Sequence, residues 1–394
     1  FLGEFEGIGV KMADILKEVI KVLPEGKIDN AAFEGANLVL YTKDRDYFVD
    51  NKGTIRAAVR EFKKRIELRP DPSLCMEMEE AEKVIKEMVM PEAGVQDLIF
   101  DPPRSQVIIH ADKPGLVIGK QGESLRKISA KTMWVVHVKR VPPLRSKLIE
   151  SIRSVLYENA TERKKFLDKT GHRVYDGWLR TKKHEWIRLS CLGASRQVGR
   201  TCFLIQTPES RVLIDCGIDP GQDGPESYPY LDAPEFNIQE IDAVVVTHSH
   251  LDHSGLIPYL FKFGYEGPVY CTLPTRDVMS LLQLDMVKIQ RAEGKEPIYT
   301  SEEVRKMVLH TITLDYDEVA DITPDVRLTF YNAGHILGSS IVHFNIGNGL
   351  HNFAYTGDLK YARTNVLEPG NTQFPRLETL MIESTYGGKD NIMA

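Results

Sequence analysis

Cysteine is sparse and unpaired. Cys75, Cys191, Cys202, Cys216 and Cys271 are the only five in 394 residues, and no two stand in a CxxC spacing. That pattern argues against a disulfide framework and against a cysteine-ligated zinc site. The thiols read as small core residues, and a reducing cytoplasm is the expected compartment. Long hydrophobic runs are lacking too. None approaches the ~20 apolar residues of a bilayer-crossing helix, and no leader pattern opens the chain, so no membrane partner is expected. The chain starts at Phe1 rather than Met, and we expect the natural start to lie upstream.

What is present fits two or three ordinary globular domains: 42% hydrophobic and 27% charged residues. The net charge of -6 conceals a contrast. Between Arg104 and Lys183 there are about 19 Lys/Arg against about 7 Asp/Glu, so the remainder carries about -18. A basic middle in an acidic chain points to a polyanion partner. The plainer alternative is a solvated helix and linker.

Residues 8–23, IGVKMADILKEVIKVL, repeat apolar side chains at helical spacing until Pro24. NLVLYTKD and YFVD read as short strands. GTIRAAVREFKKRIELRPDP reads as a helix closed by Arg69-Pro70-Asp71-Pro72. A similar unit follows: MEEAEKVIKEMV as a helix, QDLIFDPPRSQVIIHA as strands, LVIGKQGESLRKISAKT as a loop opening a helix, and WVVHVKRV as a strand. One α/β unit is thus used twice. A charged helical stretch, 144–168, comes next. From Trp186 onward, short β-rich segments alternate with turns and a few helices, RDVMSLLQLDMVKIQRAEG among them.

Gly119-Lys120-Gln121-Gly122 stands between an apolar segment and an amphipathic helix carrying Arg126 and Lys127. Glycine lets the backbone approach a ligand, and the next helix offers its first amides to phosphate. This segment resembles the KH domain, whose GXXG loop clamps single-stranded nucleic acid. The first unit has Asp50-Asn51-Lys52-Gly53 at the matching place. A KH-like fold with weak or no RNA grip by the loop is expected there.

THSHLDHSG, 247–255, follows the apolar run AVVV and crowds His248, His250, Asp252 and His253 into six positions. Imidazole nitrogen with carboxylate oxygen suits zinc, and paired zincs recur in hydrolytic sites. The motif resembles that of the metallo-β-lactamase superfamily. That resemblance implies a later histidine near glycines, supplied by His335 in AGHILGSS. It also implies a metal-bridging acid after a strand, Asp358 in FAYTGDLK, and an earlier aspartate orienting the loop, Asp215 in VLIDCG. His248, His250 and His335 would then hold one Zn2+, and Asp252 and His253 a second, with Asp358 between them. His343 and His351 sit in strand-like segments and His310 in a helical one. His110, His137, His172 and His184 have no ligand spacing.

MIESTYGG, with Glu383, resembles the acidic motif that opens the β-CASP insertion of nucleic-acid-processing members. LGASRQVGRTC resembles the first strands of the cleavage and polyadenylation specificity factor (CPSF) group, which usually has Glu where this chain has Gln197. KH-like units before such a core resemble the archaeal CPSF-like nucleases. The expected architecture is α/β multidomain: a KH-like domain over 1–72, a KH domain over 73–143, a basic helical linker over 144–185, and a metallo-β-lactamase αββα sandwich over 186–394, ending where the β-CASP insertion would begin. The resemblance implies a zinc-dependent ribonuclease for RNA 3′-end processing or transcription termination. Asp252, Asp358 and Glu383 would be catalytic, and Gly119, Lys120, Gln121, Gly122, Arg126 and Lys127 would contact RNA. It also implies single-stranded RNA and the transcription machinery as partners, and a homodimer formed through a further C-terminal segment. Competing readings are a non-catalytic RNA-binding scaffold, a DNA-processing β-CASP nuclease, and a thioesterase-like hydrolase on the same core.

Overall fold

The computed structural model describes residues 15–142, 145–175, 186–222, 224–385 and 387. The first turns of the 8–23 helix, the end of the basic stretch with Lys183 and His184, and Tyr386 lie outside them.

The first unit runs α1 (Ile15–Lys21), β1 (Asn30–Glu34), β2 (Asn37–Thr42), α2 (Arg45–Val49), α3 (Thr54–Phe62), β3 (Ile66–Pro70). β1 and β2 form an antiparallel hairpin, and β3 adds in parallel to β2. The second unit repeats the same order and directions with α4 (Met78–Met88), β4 (Val95–Asp101), β5 (Gln106–Ala111), α5 (Pro114–Ile118), α6 (Glu123–Thr132) and β6 (Val135–Arg140). Three expectations fail here. YFVD is not a strand: the Asp44 carboxylate accepts the Tyr47 amide at 2.9 Å and starts α2. IELRP is not the tail of a helix. Lys63 ends α3 in the left-handed region, at φ 51°, and the β-branched Ile66 enters β3. LVI, read as loop, forms α5.

The basic stretch becomes α7 (Lys147–Glu158) and α8 (Ala160–Val174). Much of its charge is tied internally. Arg153 donates to Asp277 at 2.6 Å and Arg173 to Asp242 at 2.8 Å; Lys169 pairs with Glu266 at 2.8 Å. Arg163 donates to the carbonyls of Leu309 and Thr311, and Lys164 to that of Pro103. The helices therefore strap the N-terminal units to the core, and Tyr175 donates to the Ala36 carbonyl at 2.6 Å.

The core is two facing sheets. One has the order β12-β11-β10-β9-β8-β7 and comprises β7 (Arg188–Cys191), β8 (Phe203–Gln206), β9 (Arg211–Ile214), β10 (Ala243–Val245), β11 (Val269–Cys271) and β12 (Thr311–Thr313). The other is β13 (Val319–Asp321), β14 (Val326–Asn332), β15 (Ser340–Ile346), β16 (His351–Tyr355) and β17 (Thr379–Met381), in sequence order. Ile205, Ile214 and Val245 meet Leu328, Phe330 and Phe344 between them. Helices α9 (Leu251–Ser254), α10 (Ile257–Lys262), α11 (Leu273–Ala292) and α12 (Ser301–His310) follow the first sheet's strands, and residues of all four join α7 in burying its outer side. All five cysteines are free thiols, and no described helix is long and apolar enough to cross a membrane.

A buried ion cluster joins the two N-terminal units. Arg69 donates to both Glu34 oxygens at 2.6 and 2.8 Å, and Arg104 of the second unit donates to the same carboxylate at 2.7 Å. Burial alone would raise the Glu34 pKa; the Arg104 and Arg69 guanidiniums outweigh it and pull it to about 2. A depressed carboxylate stabilises the fold above its unfolded value of 4.5, and that contribution is lost as pH falls toward about 2. Glu34→Gln leaves two guanidiniums short of charge and should cost roughly 3 kcal/mol at neutral pH. In urea titrations the gap between the two proteins should close as pH drops through that window.

Candidate metal centre

β10 is wholly buried between β9 and β11, so its end is fixed. Thr247 follows it, and Asp215 follows β9. Asp215 is a non-glycine residue in the left-handed region at φ 57°, a strained conformation that surrounding bonds must hold. The Thr247 amide donates to Asp215 Oδ1 at 2.7 Å and the Thr247 hydroxyl to Oδ2 at 2.8 Å. His253 Nδ1 lies 2.8 Å from the same Oδ2. Asp215 thereby orients the loop and turns His253 Nε2 outward.

The 216–218 backbone is bonded directly to the motif: Cys216 N–H donates to His253 O at 2.8 Å and Ile218 N–H to Leu251 O at 2.9 Å. Gly217 lies between them so closely that an added Cβ would sit 1.7 Å from Asp252 O. His335 is set by a turn in which the Ser339 hydroxyl accepts the amides of His335 and Ile336, each at 3.1 Å. Asp358 comes just past the end of β16.

These segments bring His248, His250, His335 and Asp358 together, one donor atom from each lying within 4.8 Å of every other. His248 Nε2 is 3.1 Å from His250 Nδ1, and His335 Nε2 is 3.3 Å from the same nitrogen. Asp358 Oδ2 is 3.7 Å from His248 Nε2 and 3.5 Å from His335 Nε2. A tetrahedral ion with bonds of ~2.0–2.1 Å has donor edges of roughly 3.3–3.4 Å, and these four separations, 3.1–3.7 Å, lie near that length. The other Asp358 oxygen, Oδ1, faces His253 Nε2 at 3.3 Å, and Asp252 Oδ2 stands 3.8 Å from that nitrogen. One carboxylate thus addresses both groups.

Protonation agrees with donor roles. Burial, then the neighbouring His253, His250 and His335, holds His248 well below the usual imidazole range, leaving it neutral. Burial also lowers His335. Burial would lower His253 as well, but the Asp215 and Asp358 carboxylates push it up to about 10. A proton sits on His253 where a cation can replace it. Burial works against the charge of Asp358, yet His253, His335 and His250 keep its pKa below the ordinary carboxylate value.

A cleft of about 560 Å3 opens beside Asp252, His253 and Asp358, between the 194–199 loop and residues 381–385. Glu383 lines it, but its carboxylate is engaged locally: it accepts the Thr385 amide at 2.9 Å and the Leu359 amide at 3.5 Å. It is not among the clustered donors. A larger cavity, about 790 Å3, lies where the first unit meets the core and holds none of these donors. The GKQG loop is a separate locus. Gly119, Gln121 and Gly122 have φ of 71°, 52° and 77°, and among the described residues the Lys120 and Gln121 amides have no partner. Lys120 and Arg126 are exposed; Lys127 pairs with Glu123 at 2.6 Å. The first unit repeats this backbone, with Lys52 at φ 51° and Gly53 at 79°. There the Lys52 amide donates to Asp50 Oδ1 at 3.0 Å and the Gly53 amide to Asn51 Oδ1 at 3.2 Å. The loop's own side chains occupy its donors.

Comparison with known proteins agrees domain by domain. The profile of the KH domain of transcription termination factor FttA matches residues 10–75, a general KH domain profile matches 80–134, and the metallo-β-lactamase superfamily matches 196–385. The chain joins two KH domains to a metallo-β-lactamase domain. Close homologues are named transcription termination factor FttA. The protein of Methanosarcina mazei is 49% identical over 378 residues, which is 95% of this chain and 59% of that relative. That of Methanocaldococcus jannaschii is 48% identical, covering 97% and 60%. A Lokiarchaeum protein is 40% identical, covering 96% and 59%. The chain therefore spans about three fifths of the curated relatives it matches. The metallo-β-lactamase fold is one of metal-dependent hydrolases, and it implies divalent-metal binding.

Sequence reading passed over Thr247 and Gly217. Thr247 carried a visible signal, since it opens the histidine motif; the close approach at Gly217 carried none. Gly217→Ala should break the contact with Asp252 and lower the thermal midpoint by several degrees. Divalent-metal binding by calorimetry should weaken alongside it.

Proposed function

We propose that the protein binds single-stranded RNA through the GKQG loop of its second KH domain and hydrolyses a phosphodiester bond at the His/Asp centre, in transcription termination or RNA 3′-end processing. The observation that carries this reading is the convergence of His248, His250, His335 and Asp358 within 4.8 Å, with Asp358 shared toward His253. His248, His250 and His335 would hold one Zn2+, Asp252 and His253 a second, and Asp358 would set their spacing. Zinc held there supplies Lewis acidity toward a phosphoryl oxygen and a water of lowered pKa. The chain's own part is positional. Asp215 and Thr247 fix the tilt of His253, neutral His248 keeps its nitrogen available, and the cleft beside Asp358 gives the strand a path. Cleavage should leave a 5′-phosphate and a 3′-hydroxyl.

The free Lys120 and Gln121 amides, with Lys120 and Arg126 exposed beside them, suit a nucleic-acid backbone. The chain's similarity to factors named for transcription termination supports RNA and the transcription machinery as partners.

The test uses labelled single-stranded RNA with the natural full-length protein, with and without chelator. His250→Ala should abolish cleavage and leave RNA binding within about twofold; unchanged cleavage would remove the centre from the mechanism. Lys120→Asp with Gln121→Asp should weaken RNA binding at least tenfold without lowering zinc content. Asp50→Gly with Asn51→Lys frees the occupied amides of the first KH loop, and RNA affinity should rise several-fold in the same assay.

A further inference from the structure

The cleft beside the metal centre poses a charge problem. Asp252, Asp358 and Glu383 line it, and among the described lining residues Arg196 is the lone Lys or Arg. Arg196 is exposed, and no described carboxylate or carbonyl pairs with it. Other arginines of the chain are spent on partners, as at Arg69, Arg104, Arg153 and Arg173.

The loop that carries it is held in an unusual shape. Ala194, Arg196 and Arg200 all have positive φ, at 58°, 61° and 45°. Three non-glycine residues in that region within seven positions store strain, which persists only where surrounding bonds enforce it. Those bonds are present. The buried Arg200 guanidinium donates to Tyr228 O at 3.0 Å, to the Tyr230 hydroxyl at 3.2 Å and to Gln197 Oε1 at 3.2 Å. Gly193 lies where a Cβ would come within 1.9 Å of Arg200 O. At the loop's far end Thr201 N–H donates to the backbone carbonyl of Asp252 at 2.8 Å. The tip is thus indexed to the metal motif itself. Backbone amides from Ser195 to Gly199 have no described partner.

We propose that Arg196 seats a non-bridging phosphate oxygen of the bound strand, next to the bond that is cut, with the free amides of its loop as further donors. The inference rests on the ribonuclease reading and adds the residue that admits a polyanion to an acid-lined cleft. Guanidinium suits the task because its fork matches phosphate oxygens and stays charged at every working pH. The side chain of the next residue, Gln197, turns its amide oxygen to Arg200 and not to Arg196.

The experiment uses the zinc-loaded natural full-length protein and single-stranded RNAs, each carrying one neutral methylphosphonate at a linkage flanking the cut. In the unaltered protein one flanking methylphosphonate should slow cleavage roughly tenfold, the order expected for one charge-assisted contact. In Arg196→Ala the same RNA should be cut no more slowly than the unmodified one. Arg196→Ala alone should raise KM about tenfold with a smaller change in kcat. It should also make the salt dependence of log kcat/KM shallower by about 0.7, the value for one phosphate contact on a single strand. Arg196→Gln serves as a second variant, and zinc content with thermal midpoint verifies that both fold. If the two proteins cut with identical interference maps, the Arg196 assignment is overturned while the ribonuclease reading stands. If the unaltered protein with zinc cuts no RNA, both fall together.

Discussion

Three carboxylates, Asp215, Asp252 and Asp358, are gathered around the single imidazole of His253. Left alone, such a group would repel itself apart, since like charges in a low-dielectric setting cost heavily. The fold supplies the restraint: Asp215 is fully buried and bonded to Thr247, and Asp358 follows a paired strand. It does not supply the compensating charge in full, because His253 can carry only one positive charge. Positive charge must come from elsewhere, and the neutral nitrogens of His248 and His335 aim at the place where it is needed. The site is shaped as a demand for cations.

Distance control comes from the backbone together with the few side chains that brace it, Asp215, Thr247 and Ser339. Strand ends of the six-stranded sheet carry Asp215 and Thr247, and the turn after β14 carries His335. The DCG segment and the histidine motif are joined by direct amide–carbonyl bonds with no room for a methyl group at Gly217. The 194–200 loop is tied in at Asp252. A shift in any of these segments therefore reaches the donors undamped, as close-packed interiors transmit strain.

Legibility differed with the range of the interaction. The HxHxDH run and GKQG were readable because spacing within a few residues already restricts where side chains point. His335 and Asp358 were readable only through family resemblance, since nothing local sets a lone histidine or aspartate apart. The role of Thr247 depends on a partner 32 positions away, so its place at the head of the motif marked it without showing what it does; that of Gly217 depends on a contact across two loops, and nothing local marked it. The helical pattern of GTIRAAVREF was carried too far, into IELRP, because the parallel pairing that makes it a strand comes from β2. The basic middle hides two populations: Lys120 and Arg126 of the second KH domain stay exposed, whereas the following helices are largely paired. Its helices spend much of their charge on the core's carboxylates and carbonyls, and an average cannot tell a paired arginine from a free one.

The Glu34 cluster also sets a length scale. It clamps the first KH domain to the second through two guanidiniums sharing one carboxylate, and α7 and α8 strap that pair to the core. A strand gripped at GKQG and threaded to Asp358 would then span a fixed path rather than a floppy tether. On the proposed reading such a molecule would measure its substrate: the nucleotides between grip and scission would be counted by protein geometry, and the offset between them would become a property of the fold.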